Sequence, residues 1–506
     1  MLIRALKTSL LPLLCLPFLA PLPARAEVRL PAIISDNMVL QQKAKVTVWG
    51  EADPNEKVTV KIAGVSQSVT AGADGHWAMK LPAMKAGGPY EMTVSGRNKI
   101  AIENVMIGDI WVCAGQSNMA WPVRDSKDAQ TEIAAAQFPK IRVFTVAEKA
   151  SDKRESGCEG KWVVCDPSSA GDFSAVAYFF GREIFQSQKI PVGLVVSASA
   201  GPSKAEDWIA PDGMNLDPDL RTLAAGKSGD AEMQKEEYKR RYAEWVAATE
   251  KAKADNQPLP PEPTAPGDQA KAGPYSTLFN GMIAPLLPVS IRGVVWYQGE
   301  GNTANPQLYR KLLPVLIRSW RQSWGQGDFP FLFVQLPGYR LRKSLPADSA
   351  WAELREAQAQ ALKVPKTGMA VTIDLGENNI HPANKQEVAR RLGLLARVAV
   401  YGEDVAPSGP AFVSSKINGA QMVLNFKQLD GGLVAKDGDT LKGFAIAGPD
   451  KKFVWADAKI TGDTVIVSSD SVPHPVAVRY AWADNPECNL AGKGGLPAAP
   501  FRTDDW

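Results

Sequence analysis

Residues 107–119 read IGDIWVCAGQSNM. The first nine of these residues are mostly apolar and rich in β-branched side chains, which favours a strand that is buried on both faces. The glycine, glutamine and serine at 115–117 then suit a tight turn. A buried strand that ends in such a turn is typical of a parallel sheet covered by helices, so this stretch predicts an α/β domain.

Similar apolar runs follow along the chain at 192–199, 291–299, 329–336 and 368–376. Helical patterns alternate with them at 173–188, 309–324, 351–364 and 384–401. We therefore expect an α/β domain at about 105–402 with a mainly parallel sheet. An insertion at about 210–275, a charged helical pattern followed by a proline-rich segment, interrupts this domain.

The segments on either side of this domain have a different pattern. Short alternating runs such as KVTVKIAG and HWAMKLPA fill residues 27–104, and runs such as QMVLNF and TVIVSS fill residues 403–506. Alternation with a period of two, broken by glycine, asparagine and proline, is typical of antiparallel strands. The sequence thus predicts a β domain at each end of the α/β domain.

The first 26 residues have the features of an export signal. They hold three basic residues and no acidic ones, followed by an apolar run and the small-residue site Ala24-Arg25-Ala26. Removing these three basic residues from 57 leaves 54, which balances the 54 acidic residues. We expect an exported protein, periplasmic or secreted, that has no membrane anchor after cleavage and lacks the basic surface that binds nucleic acid.

The cysteines and histidines do not form a metal-binding pattern. The sequence contains no CxxC, HExxH or histidine-rich tract, so we expect neither a metal nor another cofactor. Cys158 and Cys165 flank a short segment that suits a hairpin, and a disulfide between them is one of two open alternatives. Cys113 lies in the first apolar strand and is expected to be a buried thiol.

Two residues of the α/β domain suit ester hydrolysis. Ser117 follows the first strand, where a turn presents the hydroxyl and its own backbone N–H above the sheet. An ordinary turn serine is the alternative. His381 follows the strand at 368–376, whereas His76 and His474 fall in the flanking β domains. His381 is therefore the candidate base.

The sequence resembles the sialate O-acetylesterase family of SGNH-type carbohydrate esterases. The motifs that carry the resemblance occur in order over nearly all of the chain after residue 26: DNMVLQQ, GQSNM, WYQGEGN, IHPANKQEVARRL and GLPAAPFRTD. The resemblance implies an SGNH-hydrolase-like three-layer α/β domain between two β domains. It also implies a carboxylic ester hydrolase that acts on acetylated saccharides.

The resemblance assigns roles to particular residues. Ser117 is implied as nucleophile and His381 as base, with oxyanion donors from the Ser117 backbone, Gly201 and Gln298. Glu300 and Asn302 are expected to line or brace the pocket, although Glu300 also suits a structural salt bridge and Gly201 an ordinary turn.

Members of the family often place an aspartate two or three residues before the histidine, but this chain has Asn378 and Asn379 there. Asp374 is the candidate for the orienting acid, with Glu377 and a carbonyl group as alternatives. Asp374 also suits a cap of the following turn.

Three functions agree with these features. The first is removal of acetyl groups from O-acetylated sialic acid, and the second is the same reaction on xylan or xyloglucan fragments. The third is a non-catalytic glycan-binding protein that uses its β domains, which the presence of both Ser117 and His381 disfavours.

Overall fold

A computed structural model describes residues 27–255 and 275–506, with the single positions 257, 260 and 263 between them. The predicted signal peptide at 1–26 and most of the proline-rich segment lie outside the described residues. In the part of the chain that is described, no helix has the length and apolar character needed to cross a bilayer.

The N-terminal β domain is built from short strands, of which β2, β3 and β5 bury every second residue. The strands are β1 Val39–Gln41, β2 Val46–Glu51, β3 Lys57–Ile62, β4 Val65–Thr70, β5 His76–Leu81 and β6 Gly87–Ser95. In β5 the buried residues strictly alternate with exposed ones, as expected for a sheet with one face on a core. β3 pairs antiparallel with β4 and β6, and β2 pairs antiparallel with β5.

Strand β7, Lys99–Gly115, belongs to two domains. Its first half pairs antiparallel with β6, and residues 106–108 also pair in parallel with β1. Its second half, from residue 109, enters the central sheet between β10 and β11. The boundary predicted at 104/105 therefore falls inside a single continuous strand.

The central sheet is parallel except at one edge. Its other strands are β8 Phe138–Thr145, β9 Trp162–Cys165, β10 Val192–Ala198, β11 Gly293–Tyr297, β12 Phe331–Val334 and β13 Thr367–Ala370. The spatial order is β13-β12-β11-β7-β10-β8-β9, with β9 antiparallel to β8. Strands β8, β9 and β10 lie on one side of β7, and the later strands β11, β12 and β13 lie on its other side. The carboxyl end of β7 is thus the switch point where such sheets bind ligands.

Helices cover both faces of this sheet, which confirms the predicted α/β class. The α-helices of the described residues are α1 Ser117–Ala120, α2 Ala129–Ala134, α3 Ala175–Gln188, α4 Ala205–Trp208, α5 Pro218–Ala254, α6 Pro306–Trp324, α7 Ala350–Gln360 and α8 Lys385–Ala399. On one face Trp111 packs edge-on against Phe180 of α3, with ring centroids 5.0 Å apart. On the other face Trp296 contacts Trp320 of α6 at 5.8 Å.

The C-terminal region is again antiparallel β structure. Its strands are β14 Ala411–Asn418, β15 Gln421–Lys427, β16 Leu433–Ala435, β17 Phe444–Ala447, β18 Phe453–Trp455, β19 Asp457–Thr461, β20 Thr464–Ser468, β21 Ala477–Tyr480, β22 Leu490–Gly492 and β23 Phe501–Arg502. They form two four-stranded sheets and one two-stranded ladder.

The cysteines in the described residues are free thiols. The possible disulfide between Cys158 and Cys165 is therefore not formed. Cys165 is buried at the end of β9 and donates toward the carbonyl of Ala136. Cys113 is buried in β7 as expected, and burial raises the pKa of its thiol far above the ordinary value.

A buried carboxylate ties the N-terminal β domain to the central sheet. Asp109 in β7 accepts hydrogen bonds from the amides of Gln41 and Gln42 at 2.7 and 3.2 Å. It also forms an ion pair with Arg292 at 2.9 Å and accepts from the Tyr401 hydroxyl at 2.8 Å. The two glutamines of the DNMVLQQ motif thus bind Asp109 at the junction between the two domains.

Replacing Asp109 is expected to lower the free energy of unfolding strongly. Asp109→Ala leaves the Arg292 guanidinium without its buried partner, and breaking such a pair costs about 3–5 kcal/mol. Urea unfolding followed by circular dichroism measures the change. Asp172→Ala is the matched control, because Asp172 forms an exposed pair with Arg124 and should cost less than about 1 kcal/mol. Equal losses in the two variants would contradict this role for Asp109.

Candidate active site

The turn after β7 is set by a close approach between two backbones. Gly115 has a φ of 145°, and a Cβ added to it would lie 2.0 Å from the carbonyl oxygen of Tyr297 on β11. Only glycine fits here without displacing β11. The next residue, Gln116, donates its backbone N–H to the same carbonyl at 3.1 Å. Ser117 then begins helix α1 at the carboxyl edge of the sheet.

The structure brings Ser117 and His381 together. The serine Oγ lies 2.8 Å from His381 Nε2, a hydrogen-bond distance, although 264 residues separate the two in sequence. Both side chains are half-buried. Burial, with a further contribution from the charge of Lys385, lowers the pKa of His381 below its ordinary value. The neutral imidazole, which is the form that accepts a proton from serine, is therefore favoured.

Local contacts hold the loop that carries His381. The Asn379 side chain accepts from the backbone N–H of His381 at 3.0 Å, and Glu377 accepts from the N–H of Ala383 at 3.1 Å. The imidazole stacks on Trp121, with ring centroids 4.8 Å apart and planes 19° from parallel. Trp121 is itself held by a 2.9 Å hydrogen bond from its indole N–H to the carbonyl of Asp125.

Asp374 is not placed to orient His381, which corrects the prediction. Its two carboxylate oxygens accept from Arg391 at 2.6 and 2.9 Å, and Lys436 lies 3.4 Å away. Burial opposes ionisation of this group, but the hydrogen bonds and charge of Arg391 hold the pKa of Asp374 below its ordinary value. Among the described residues, Ser117 is the hydrogen-bond partner found for the imidazole of His381.

The predicted oxyanion donors divide into two groups. The backbone N–H groups of Ser117 and Gly201 have no hydrogen-bond partner among the described residues, so they are available to a ligand. The Gln298 side chain is not, because its NH₂ group donates to the Ser203 carbonyl at 3.0 Å and to Asn302 Oδ1 at 2.8 Å. The expectation that the Gln298 amide serves as an oxyanion donor is therefore corrected.

Glu300 and Asn302 brace the neighbouring loops. Glu300 is buried and accepts from the Asn118 amide at 2.5 Å. Asn302 accepts from the backbone N–H of Ala205 at 2.9 Å and donates to Glu206 at 2.8 Å. The WYQGEGN motif therefore connects the Ser117 turn to the loop after β10.

Comparison with known proteins gives one consistent result. Residues 268–398 match the family described as "Carbohydrate esterase, sialic acid-specific acetylesterase". The sialate O-acetylesterases of Mus musculus and Homo sapiens are 31% and 29% identical to this chain. Each alignment covers 94% of this chain, together with 94% of the mouse protein and 92% of the human protein.

A solved structure extends the similarity to the fold. The carbohydrate acetylesterase from Xanthomonas citri is 36% identical, with a TM-score of 0.81, over 95% of this chain and all of the other. The chain belongs to the sialate O-acetylesterase family. It is accordingly a carboxylic ester hydrolase, and membership of this family supports removal of O-acetyl groups from carbohydrates.

This sialate O-acetylesterase family member has three site residues that the sequence reasoning missed. They are Asn118, Trp121 and Lys385. Asn118 stands inside the motif GQSNM and Lys385 inside IHPANKQEVARRL, and Trp121 stands two residues after the end of GQSNM. The signal was therefore present, but the chemistry of an amide, an indole and an ammonium did not by itself suggest a place beside the serine. The described residues contain no group of three potential metal ligands.

Neutralising Asp374 is expected to affect stability more than catalysis. Asp374→Asn removes the charge that pairs with Arg391 and should cost about 1–3 kcal/mol in unfolding free energy. Because Asp374 does not contact His381, kcat/KM for 4-nitrophenyl acetate should fall by at most about tenfold, compared with the roughly 10⁴-fold loss of a triad carboxylate. A loss near the larger figure in the folded variant would identify Asp374 as the orienting acid.

Proposed function

We propose that this enzyme removes O-acetyl groups from carbohydrates with Ser117 as nucleophile and His381 as general base. The observation that carries the proposal is the 2.8 Å contact between Ser117 Oγ and His381 Nε2 at the switch point of the sheet. A serine hydroxyl paired with a neutral imidazole is the arrangement needed for nucleophilic attack on an ester.

The reaction follows from these groups in two steps. Ser117 Oγ attacks the acetyl carbonyl carbon while His381 Nε2 takes the hydroxyl proton, and the N–H groups of Ser117 and Gly201 stabilise the oxyanion. Collapse of the tetrahedral intermediate breaks the bond to the sugar oxygen, which receives the proton from His381. A water molecule, deprotonated by His381, then hydrolyses the acetyl-enzyme to acetate and free Ser117.

The sugar is proposed to be O-acetylated sialic acid, whose carboxylate needs a cation for recognition. Three basic residues follow or adjoin site segments in the sequence. Arg124 pairs with Asp172, and Arg340 lies 3.3 Å from Asp484. Lys204 is exposed in the loop after β10 and has no ion pair among the described residues. Lys204 is therefore the cation that we propose for the sialate carboxylate.

A neutral acetylated glycan, such as a xylan or xyloglucan fragment, is the second candidate. The Xanthomonas citri relative is described as an acetylesterase of carbohydrates without a stated sugar. The 36% identity to this carbohydrate acetylesterase is the observation that keeps a sugar other than sialic acid as a candidate. We further propose that the protein is exported, on the basis of the basic and apolar residues at 1–26.

Loss of either member of the serine–histidine pair should abolish activity. Ser117→Ala and His381→Ala are expected to reduce turnover of 4-nitrophenyl acetate by about 10⁴- to 10⁶-fold without loss of folding. Mass spectrometry of a quenched reaction should find an acetyl group on Ser117 in the wild type.

His76→Ala and His474→Ala are the matched controls, because both histidines are exposed in the β domains. They should keep most of the activity. Near-wild-type hydrolysis by folded Ser117→Ala would overturn the proposed mechanism.

Removing Lys204 separates the two sugar candidates. Lys204→Ala should lower kcat/KM for O-acetyl sialic acid by about two- to fivefold, the effect of one exposed charge pair. Acetylated xylo-oligosaccharides carry no carboxylate, so their hydrolysis should not change. Lys189→Ala, which removes a lysine at the end of α3, is the control. An enzyme that cleaves the acetylated xylan and xyloglucan fragments but not the sialate would establish the second candidate.

A further inference from the structure

The Asn118 side chain connects the turn of the nucleophile to the loop of the base. It is fully buried and follows Ser117 directly. Its NH₂ group donates to the carbonyl of Ile380 at 3.0 Å, and Ile380 directly precedes His381. The same group donates to Glu300 at 2.5 Å, while the amide oxygen accepts from Lys385 Nζ at 2.5 Å. One amide therefore contacts both segments that carry the serine–histidine pair.

Lys385 lies in an unusual place for a lysine. It is the first residue of α8 and is completely buried, with its Nζ 5.5 Å from the ring centroid of Tyr297 and 5.8 Å from that of Trp121. Trp121 is the ring on which His381 stacks. Burying an ammonium is strongly unfavourable unless partners compensate for the lost water. This unfavourable burial occurs directly beside the serine–histidine pair.

We propose that Lys385 is a positioning residue that fixes the orientation of Asn118 and thereby the register of His381 against Ser117. This inference rests on the proposed function, in which these two residues form the catalytic pair.

The argument depends on which groups donate and which accept. The ammonium form of Lys385 can only donate, and an ionised Glu300 can only accept. If the amide of Asn118 were rotated by 180°, its oxygen would face the carboxylate of Glu300 and the carbonyl of Ile380, and its NH₂ group would face the ammonium. Every contact would then be repulsive. The buried pair therefore allows one orientation, in which the NH₂ group holds the carbonyl before His381.

The charges around this amide add an electrostatic effect. Glu300 faces Lys385 from the turn after β11, and Glu377 does so from the loop that carries His381. Burial lowers the pKa of Lys385 to about 7 despite these two carboxylates. Below that pH the ammonium is charged and opposes protonation of His381. Lys385 thus keeps the base neutral at lower pH than burial alone would.

Two variants test the positioning role in different ways. Lys385→Met with Glu300→Gln removes both buried charges together, so that no unpaired charge remains to unfold the protein. Asn118→Ala removes the amide but leaves the opposite charges of Lys385 and Glu300 in place. Lys436→Met is the control, because Lys436 is an exposed lysine that contacts Asp374.

Both test variants should fold and lose at least about tenfold in kcat for 4-nitrophenyl acetate, with KM changed by less than about twofold, because the reacting groups are misplaced rather than the substrate. In the double variant the acid limb of kcat/KM should also move up by about 0.5–1 pH unit. Asn118→Ala keeps the ammonium, so its acid limb should not move up.

NMR titration gives a readout that does not depend on turnover. The chain has three histidines, so the His381 imidazole signal can be assigned by comparison with His76→Ala and His474→Ala. Its pKa should rise in the double variant and stay unchanged in Lys436→Met.

Wild-type kcat in either folded test variant would overturn the inference, and so would an unchanged His381 titration in the folded double variant. If one variant does not fold, the other decides. A wild-type enzyme that does not use Ser117 would instead overturn the proposed function. The two failures are thus distinguishable, because Ser117→Ala reports only on the second.

Discussion

The structure depends on the hydrogen-bond ladders of β7, which pairs with β1 and β6 in its first half and with β10 and β11 in its second. Because one strand serves both domains, their relative position is set by backbone geometry rather than by side-chain packing alone. Asp109 adds the side-chain contacts at the crossing point. The same strand ends at Gly115, so the turn that presents Ser117 is fixed to the most constrained part of the sheet.

The sequence predicted those features of the structure that depend on a local pattern of residues. Apolar strands, helical periodicity and the turn after residue 115 predicted the α/β class, and the four predicted helices lie within a few residues of α3, α6, α7 and α8. The sequence also placed Ser117 and His381 after strands that end at the same edge of a parallel sheet, the edge where such sheets bind ligands. Each of these features depends on repeats of two or 3.6 residues, or on the direction of strands.

Side-chain partners were predicted less well, because they join residues that are distant in sequence. Asp374 stands close to His381 along the chain, yet Arg391 on α8 takes both of its oxygens. Gln298 follows a strand as an oxyanion donor would, but Ser203 and Asn302 use its NH₂ group. A residue type shows what a side chain is able to donate or accept. The folded structure is needed to show which hydrogen-bond partner each side chain has.

The absence of a carboxylate on His381 among the described residues has a chemical consequence. In a triad, the acid stabilises the imidazolium and so raises the basicity of the histidine. Here burial lowers the pKa of His381, and the neighbouring ammonium of Lys385 lowers it further. Such a base is weaker, but it remains unprotonated at a lower pH, and its orientation has to come from neutral contacts. Stacking on Trp121 and the hydrogen bond from Asn118 to the Ile380 carbonyl supply that orientation without raising the pKa.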